Sequence, residues 1–201
     1  MSGRESPHVT DSPSKAGVLR HLPNAITCLR IALVVPLIVM VLHQRYAAAL
    51  AIGAVAGLSD GVDGFLARRF GWRSPLGALL DAAADKLMLV GVYLALAYIG
   101  RVDFALALLV LARDLVIVIG ALLYRVLIGR FEARPSLWSK ATTLAQILFV
   151  LLVLGAACFG WRWSPHPYAW IVAVLTVISG ADYIVRWSLR ARDAFRARSG
   201  R

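Results

Sequence analysis

Cysteine is almost absent, with only Cys28 and Cys158 in 201 residues. The two lie far apart in apolar segments and have no metal-type spacing, so neither a disulfide framework nor a zinc ribbon is available. They read as small buried hydrophobes. Histidine is nearly as scarce: His8, His21, His43 and His166 are scattered through the N-terminal stretch and the loops, and none makes a persuasive ligand. Residues 1–22 hold no apolar stretch behind a cleavage site, so no signal peptide is expected. No internal repeat is present. Acidic residues number only 11 against 22 Lys and Arg.

What the chain does have is apolar surface. It is 60% hydrophobic with a mean hydropathy of +0.72, where soluble domains sit near 45–50% apolar. Composition alone therefore describes an all-α integral membrane protein. A spanning helix needs about 20 apolar residues, and six transmembrane helices are expected, at roughly 25–42, 46–68, 75–99, 103–128, 137–159 and 167–188. The breaks between them are turn-like or charged: His43 to Arg45, Gly71 to Pro75, Gly100-Arg101, Gly129 to Pro135 and Gly160 to Pro167.

The net charge of +11 would suggest nucleic acid for a soluble chain, but its distribution excludes that partner. Six spans put 17 of the 22 basic residues on one side of the membrane and only Arg45, Arg101 and Arg162 on the other. That asymmetry makes the first side, with both termini, cytoplasmic, and anionic headgroups account for the basic charge. The expected organisation is a disordered tail over 1–18, a membrane domain over 19–190 and a basic cytoplasmic tail over 191–201. Leu19 to Leu29 mixes basic and apolar residues, as an interfacial amphipathic helix does. Trp161, Trp163, Tyr168 and Trp170 form an aromatic belt at the outer ends of the last two spans.

Against this background four aspartates stand out: Asp60, Asp63, Asp81 and Asp85. A carboxylate at the centre of a membrane helix costs roughly 2.5–3.5 kcal/mol on insertion scales, so it faces a cavity, a partner or an ion. On helices, Asp60 and Asp63 share one face, as do Asp81 and Asp85. A short loop makes the two helices antiparallel neighbours, so that the pairs are expected to face each other. All-oxygen ligands suit hard cations such as Mg²⁺ or Mn²⁺, and four carboxylates suffice for two of them. The rival readings are a salt-bridge cluster held by Arg68, Arg69 and Lys86, and a proton or cation pathway. Gly53, Gly57 and Gly61, four apart, suit either close helix approach or access of a substrate to the backbone beside Asp60.

The full pattern Asp60-x2-Asp63-Gly64-x2-Ala67-Arg68-x8-Gly77-x3-Asp81-x3-Asp85 resembles the signature of the CDP-alcohol phosphatidyltransferase family. Ala82 stands where many relatives have proline. The segment Leu22-Pro23-Asn24-x2-Thr27-x2-Arg30 is similar to the start of the phosphatidylglycerophosphate and cardiolipin synthase branch. The resemblance implies a six-helix homodimer, with CDP-diacylglycerol as donor, a glycerol-type acceptor and two divalent cations, Mg or Mn. It further implies that Asp60, Asp63 and Asp81 hold metal. Asp85 then completes that site and acts as general base, and Gly64, Ala67, Arg68 and Gly77, with Asp60, shape the CDP pocket.

The acceptor is read from other positions. Arg113, Arg134 and Lys140 are candidates for a phosphate pocket, although Arg113 has a plainer use in pairing with Asp114. Phosphatidylglycerophosphate synthases show Arg-Glu in the fourth helix and a second Arg eight residues after the first. Here the pair is Arg113-Asp114 and position 121 is Ala. Together with the segment Ala133 to Lys140, this favours phosphatidylglycerol over glycerol 3-phosphate. A small ion or proton transporter is the alternative from another class.

Overall fold

The computed structural model describes residues 29–70, 75–127, 137–162 and 164–199. Side chains are described for these residues except at 60–70, 75–82, 121, 124–127, 190–191 and 193–199. The regular structure among the described residues is entirely helical. It comprises α1 (Leu29–Leu42), α2 (Tyr46–Phe70), α3 (Pro75–Tyr98), α4 (Phe104–Leu127), α5 (Leu137–Phe159) and α6 (His166–Ser199). The expected N-terminal tail and the amphipathic stretch before Leu29 lie outside the described residues, and Gly61 is placed by the backbone of α2 alone.

Three helix ends are built alike, and local sequence explains them. After α3, Gly100 takes a φ of 70°; its N–H bonds to the Ala97 carbonyl, and that of Arg101 bonds to the Leu96 carbonyl at 2.9 Å. This is the Schellman arrangement, which satisfies carbonyls the helix leaves open and needs a left-handed residue. Gly160, with a φ of 66°, ends α5 in the same way, Trp161 donating to the Ala156 carbonyl. α1 ends with Gln44 in that role at a φ of 56°, Arg45 donating to the Met40 carbonyl. These are three of the breaks expected from sequence.

The sixth helix departs from expectation, running through Ser199 and not stopping near 188. Apolar periodicity ends at Leu189, but Ala and Arg are good helix formers. The i,i+4 pair of Arg186 Nε with Asp182 Oδ1 at 2.6 Å lies just before that point.

Among the described residues the core sits toward the end of the bundle that holds the α1–α2, α3–α4 and α5–α6 turns. Leu89, Val92, Tyr93 and Leu96 recur on α3 with the spacing of one helix face. They pack with Leu37 and Val41 of α1, Ala49 of α2, Leu106 and Val110 of α4, Phe149 and Val153 of α5, and Val172 of α6. Tyr93 stacks on Phe149 with centroids 6.3 Å apart and donates its hydroxyl to the Gln146 carbonyl at 3.1 Å. Tyr93→Phe keeps the stack and loses the hydrogen bond. It is expected to lower stability by about 0.5–1.5 kcal/mol, read from unfolding in mixed detergent micelles; an unchanged midpoint would count against that bond.

A polar seam joins α5 to α6. Thr142 Oγ1 donates to the Leu175 carbonyl at 3.0 Å, and Gln146 Nε2 donates to Thr176 Oγ1 at 3.1 Å. Such bonds hold helices together where lipid supplies no hydrophobic drive between them. Among the described residues Gly53 and Gly57 mark no close helix approach, because a Cβ at either meets nothing within 4 Å there.

Outside the core the helices present apolar side chains. Leu115, Val116, Val118, Ile119, Leu122 and Leu123 of α4 are all exposed. In water an apolar surface of this kind demands a partner; a bilayer supplies one. Leu137–Phe159 and His166–Leu189 are long and apolar enough to cross a membrane.

Candidate active site

α3 carries two adjacent charges, Asp85 and Lys86, which a helix directs about 100° apart. Each meets a different neighbour. Asp85 faces α1, where Arg30 Nη1 donates to its Oδ1 at 3.1 Å. The Arg30 side chain is 1% exposed and that of Asp85 45%, so a buried cation holds a carboxylate that stays open to the surroundings. Lys86 faces α4, its Nζ lying 2.5 Å from Asp114 Oδ1.

Asp114 is shared. Arg113 Nη1 donates to the same Oδ1 at 2.7 Å, while Arg113 Nη2 donates to Ser139 Oγ of α5 at 2.7 Å and to Ser179 Oγ of α6 at 2.8 Å. One hydrogen-bonded cluster thus ties α3 to α4, α5 and α6. Arg113 and Asp114 are each 4% exposed, whereas the Lys86 side chain is 33% exposed. The pairing of Arg113 with Asp114, one of the two uses open to it in the sequence, is the one observed.

The other expected site residues are placed by backbone alone. Asp60 and Asp63 lie in the C-terminal half of α2 with Gly64, Ala67 and Arg68, and Gly77 lies in the first turn of α3. Asp81 precedes Asp85 by one turn of continuous helix. The i,i+3 and i,i+4 registers on which the metal reading depends are therefore present. The convergence of the four carboxylates lies outside the described residues, as do Arg134 and the side chains of Asp60, Asp63 and Asp81. Among the described residues no three potential ligands come together. Lys140 is exposed in the first turn of α5, next to Ser139.

The donor chemistry fits a hard divalent cation, since every position in the set is a carboxylate. The one described member, Asp85, keeps part of its carboxylate accessible while a guanidinium orients it. Sequence reasoning missed three participants. Arg30 had a signal, as the last residue of the Leu22-Pro23-Asn24-x2-Thr27-x2-Arg30 segment. Ser139 and Ser179 had none, because a serine on a membrane helix is ordinary.

The chain is similar to proteins already known. The family model of CDP-alcohol phosphatidyltransferase matches residues 20–181. Human cardiolipin synthase (CMP-forming) is 30% identical over 178 residues, covering 80% of this chain and 59% of that protein. The chain thus spans about three fifths of the human relative's length. A probable phosphatidylglycerophosphate synthase of Mycobacterium tuberculosis is 32% identical over 184 residues, covering 84% of this chain and 82% of its own. A CDP-diacylglycerol–glycerol-3-phosphate 3-phosphatidyltransferase of Pseudomonas fluorescens is 32% identical over 175 residues, covering 82% and 88%.

Proposed function

The chain belongs to the CDP-alcohol phosphatidyltransferase family, and from that premise we propose that it transfers a phosphatidyl group from CDP-diacylglycerol to a glycerol-type hydroxyl, releasing CMP. The favoured acceptor is phosphatidylglycerol. The observation that carries the reading is Asp85, the last signature aspartate, held by buried Arg30 with its carboxylate still partly open.

In this reading Asp60, Asp63, Asp81 and Asp85 hold two divalent cations, Mg or Mn. When bound, these neutralise the diphosphate and make CMP a better leaving group. Gly64, Ala67, Arg68 and Gly77 shape the CDP pocket. Asp85 takes the proton from the acceptor hydroxyl. The acceptor oxygen bonds to the phosphorus that carries diacylglycerol, and the bond from that phosphorus to CMP breaks. Arg30 sets the orientation of Asp85, and orientation of this kind lowers the barrier by removing search entropy. Arg134 and Lys140, flanking the start of α5, provide positive charge for the acceptor.

The wider assignment is a homodimer in the cytoplasmic membrane with six spans and both termini cytoplasmic. The spans are supported by the six helices and their exposed apolar faces, and the orientation by the one-sided basic residues. The relatives include, by name, both a cardiolipin synthase and a glycerol-3-phosphate 3-phosphatidyltransferase, so the choice rests on Arg113-Asp114, Ala121 and the segment Ala133 to Lys140. A phosphodiester has one negative charge and needs fewer cations than a phosphomonoester.

The test is an assay of purified protein with labelled CDP-diacylglycerol and Mg²⁺ or Mn²⁺, offering phosphatidylglycerol and glycerol 3-phosphate separately. CMP release with phosphatidylglycerol is expected. Turnover with glycerol 3-phosphate alone would reverse the acceptor, and no CMP with either would end the enzyme reading.

A further inference from the structure

Two cations share one carboxylate in the Lys86–Asp114–Arg113 cluster. The cluster therefore carries one surplus positive charge in surroundings where Arg113 and Asp114 are each 4% exposed. A desolvated surplus charge is costly unless an anion answers it. Arg113 is not the member that can leave, since both its terminal nitrogens are engaged by Asp114, Ser139 and Ser179. Lys86 is one-third exposed, makes a single hydrogen bond and is next in sequence to Asp85.

The cluster also contains the means of releasing it. Arg113 Nε and Asp114 Oδ2 are both buried without a hydrogen-bond partner. Both cations draw on Oδ1 of the same carboxylate. When Lys86 leaves, Asp114 Oδ1 keeps its bond from Arg113 Nη1, so the carboxylate stays paired with a cation.

The geometry points to Lys86 as the cation that receives the acceptor's phosphate group, with Arg113–Asp114 as the pair that compensates when it moves. This rests on the proposed phosphatidyl transfer and adds to it a specificity-determining residue. The ligand chemistry is a phosphate anion bearing a free glycerol hydroxyl, either a lipid phosphodiester headgroup or a soluble glycerol phosphate. Asp85 is the preceding residue on α3, and the glycerol arm between phosphate and hydroxyl has to span the roughly 100° between the two side-chain directions.

The experiment uses the full chain in nanodiscs, as wild type, Lys86→Gln and Lys86→Arg. Phosphatidylglycerol in the bilayer is varied in one arm and glycerol 3-phosphate in solution in the other. Lys86→Gln is expected to raise KM for the productive acceptor by about tenfold or more. The kcat and the KM for CDP-diacylglycerol should stay within about threefold, and Lys86→Arg should recover most of the acceptor affinity. An unchanged acceptor KM in Lys86→Gln overturns the assignment, as does a fall in kcat alone. Amine footprinting of Lys86 in the wild type decides the matter if Lys86→Gln fails to fold, or if the wild type releases no CMP with either acceptor. Protection by phosphatidylglycerol over phosphatidylcholine, or by glycerol 3-phosphate, sustains the anion site even then. No protection by either removes it.

Discussion

Asp85→Asn is expected to abolish phosphatidyl transfer, lowering kcat by at least about 10²–10⁴, the range that positioned proton transfer contributes. The substitution keeps shape and hydrogen bonding while removing the charge that accepts a proton. Arg30 still has an oxygen to donate to, so α1 and α3 stay joined and the far-ultraviolet spectrum should not change. CDP-diacylglycerol should bind within about threefold of the wild type, because Asp60, Asp63 and Asp81 remain. The measurements are CMP release and binding of labelled donor on the same preparation. Residual turnover within about tenfold of the wild type would take Asp85 out of the base role. Lost donor binding would make it chiefly a ligand.

The second large effect is on stability, and its sign follows from counting charges. Asp114→Ala leaves Lys86 and Arg113 without a carboxylate, and Arg113 is 4% exposed. Removing one member of a buried ion pair costs about 3–5 kcal/mol, because the remaining charge is uncompensated. Arg113→Met is the instructive contrast. It removes three hydrogen bonds but leaves Lys86 balanced by Asp114, so about 1–3 kcal/mol is expected. Unfolding in mixed micelles, followed by circular dichroism, should therefore rank Asp114→Ala as the worse of the two. The opposite order would mean that the serine bonds and packing of Arg113, and not charge balance, dominate the cluster.

Much of the helix plan was legible in the sequence because its signals are local. Gly100 and Gly160 end helices since a left-handed residue closes the Schellman bonds, and a side chain disfavours that conformation. Gln44 does the same without being glycine; there the charged break His43-Gln44-Arg45 was the legible signal. The end of α6 was misjudged for a related reason. Apolar periodicity reports where lipid or core contact stops, and a helix of Ala and Arg continues past that point.

The site divides along the same line. Asp60, Asp63, Asp81 and Asp85 were visible because a carboxylate in an apolar helix is energetically out of place, and their intervals matched a family signature. Their helical registers are properties of neighbouring residues and need no tertiary information. The partners of Asp85 and Lys86 are different. Arg30 lies 55 residues from Asp85, and Ser179 lies 66 from Arg113. Nothing in local spacing links them.

The sequence by itself determined the apolar helices, most of their ends, the family and the aspartate spacing, all of which depend on short-range propensity or composition. Only the tertiary structure decided that Arg30 holds Asp85, and that Arg113 is enclosed by Asp114, Ser139 and Ser179. It alone left Lys86 as the accessible cation of the Lys86–Asp114–Arg113 cluster. The physical reason is that ion pairing between helices depends on each helix's rotation about its own axis. Packing of the whole bundle sets that rotation.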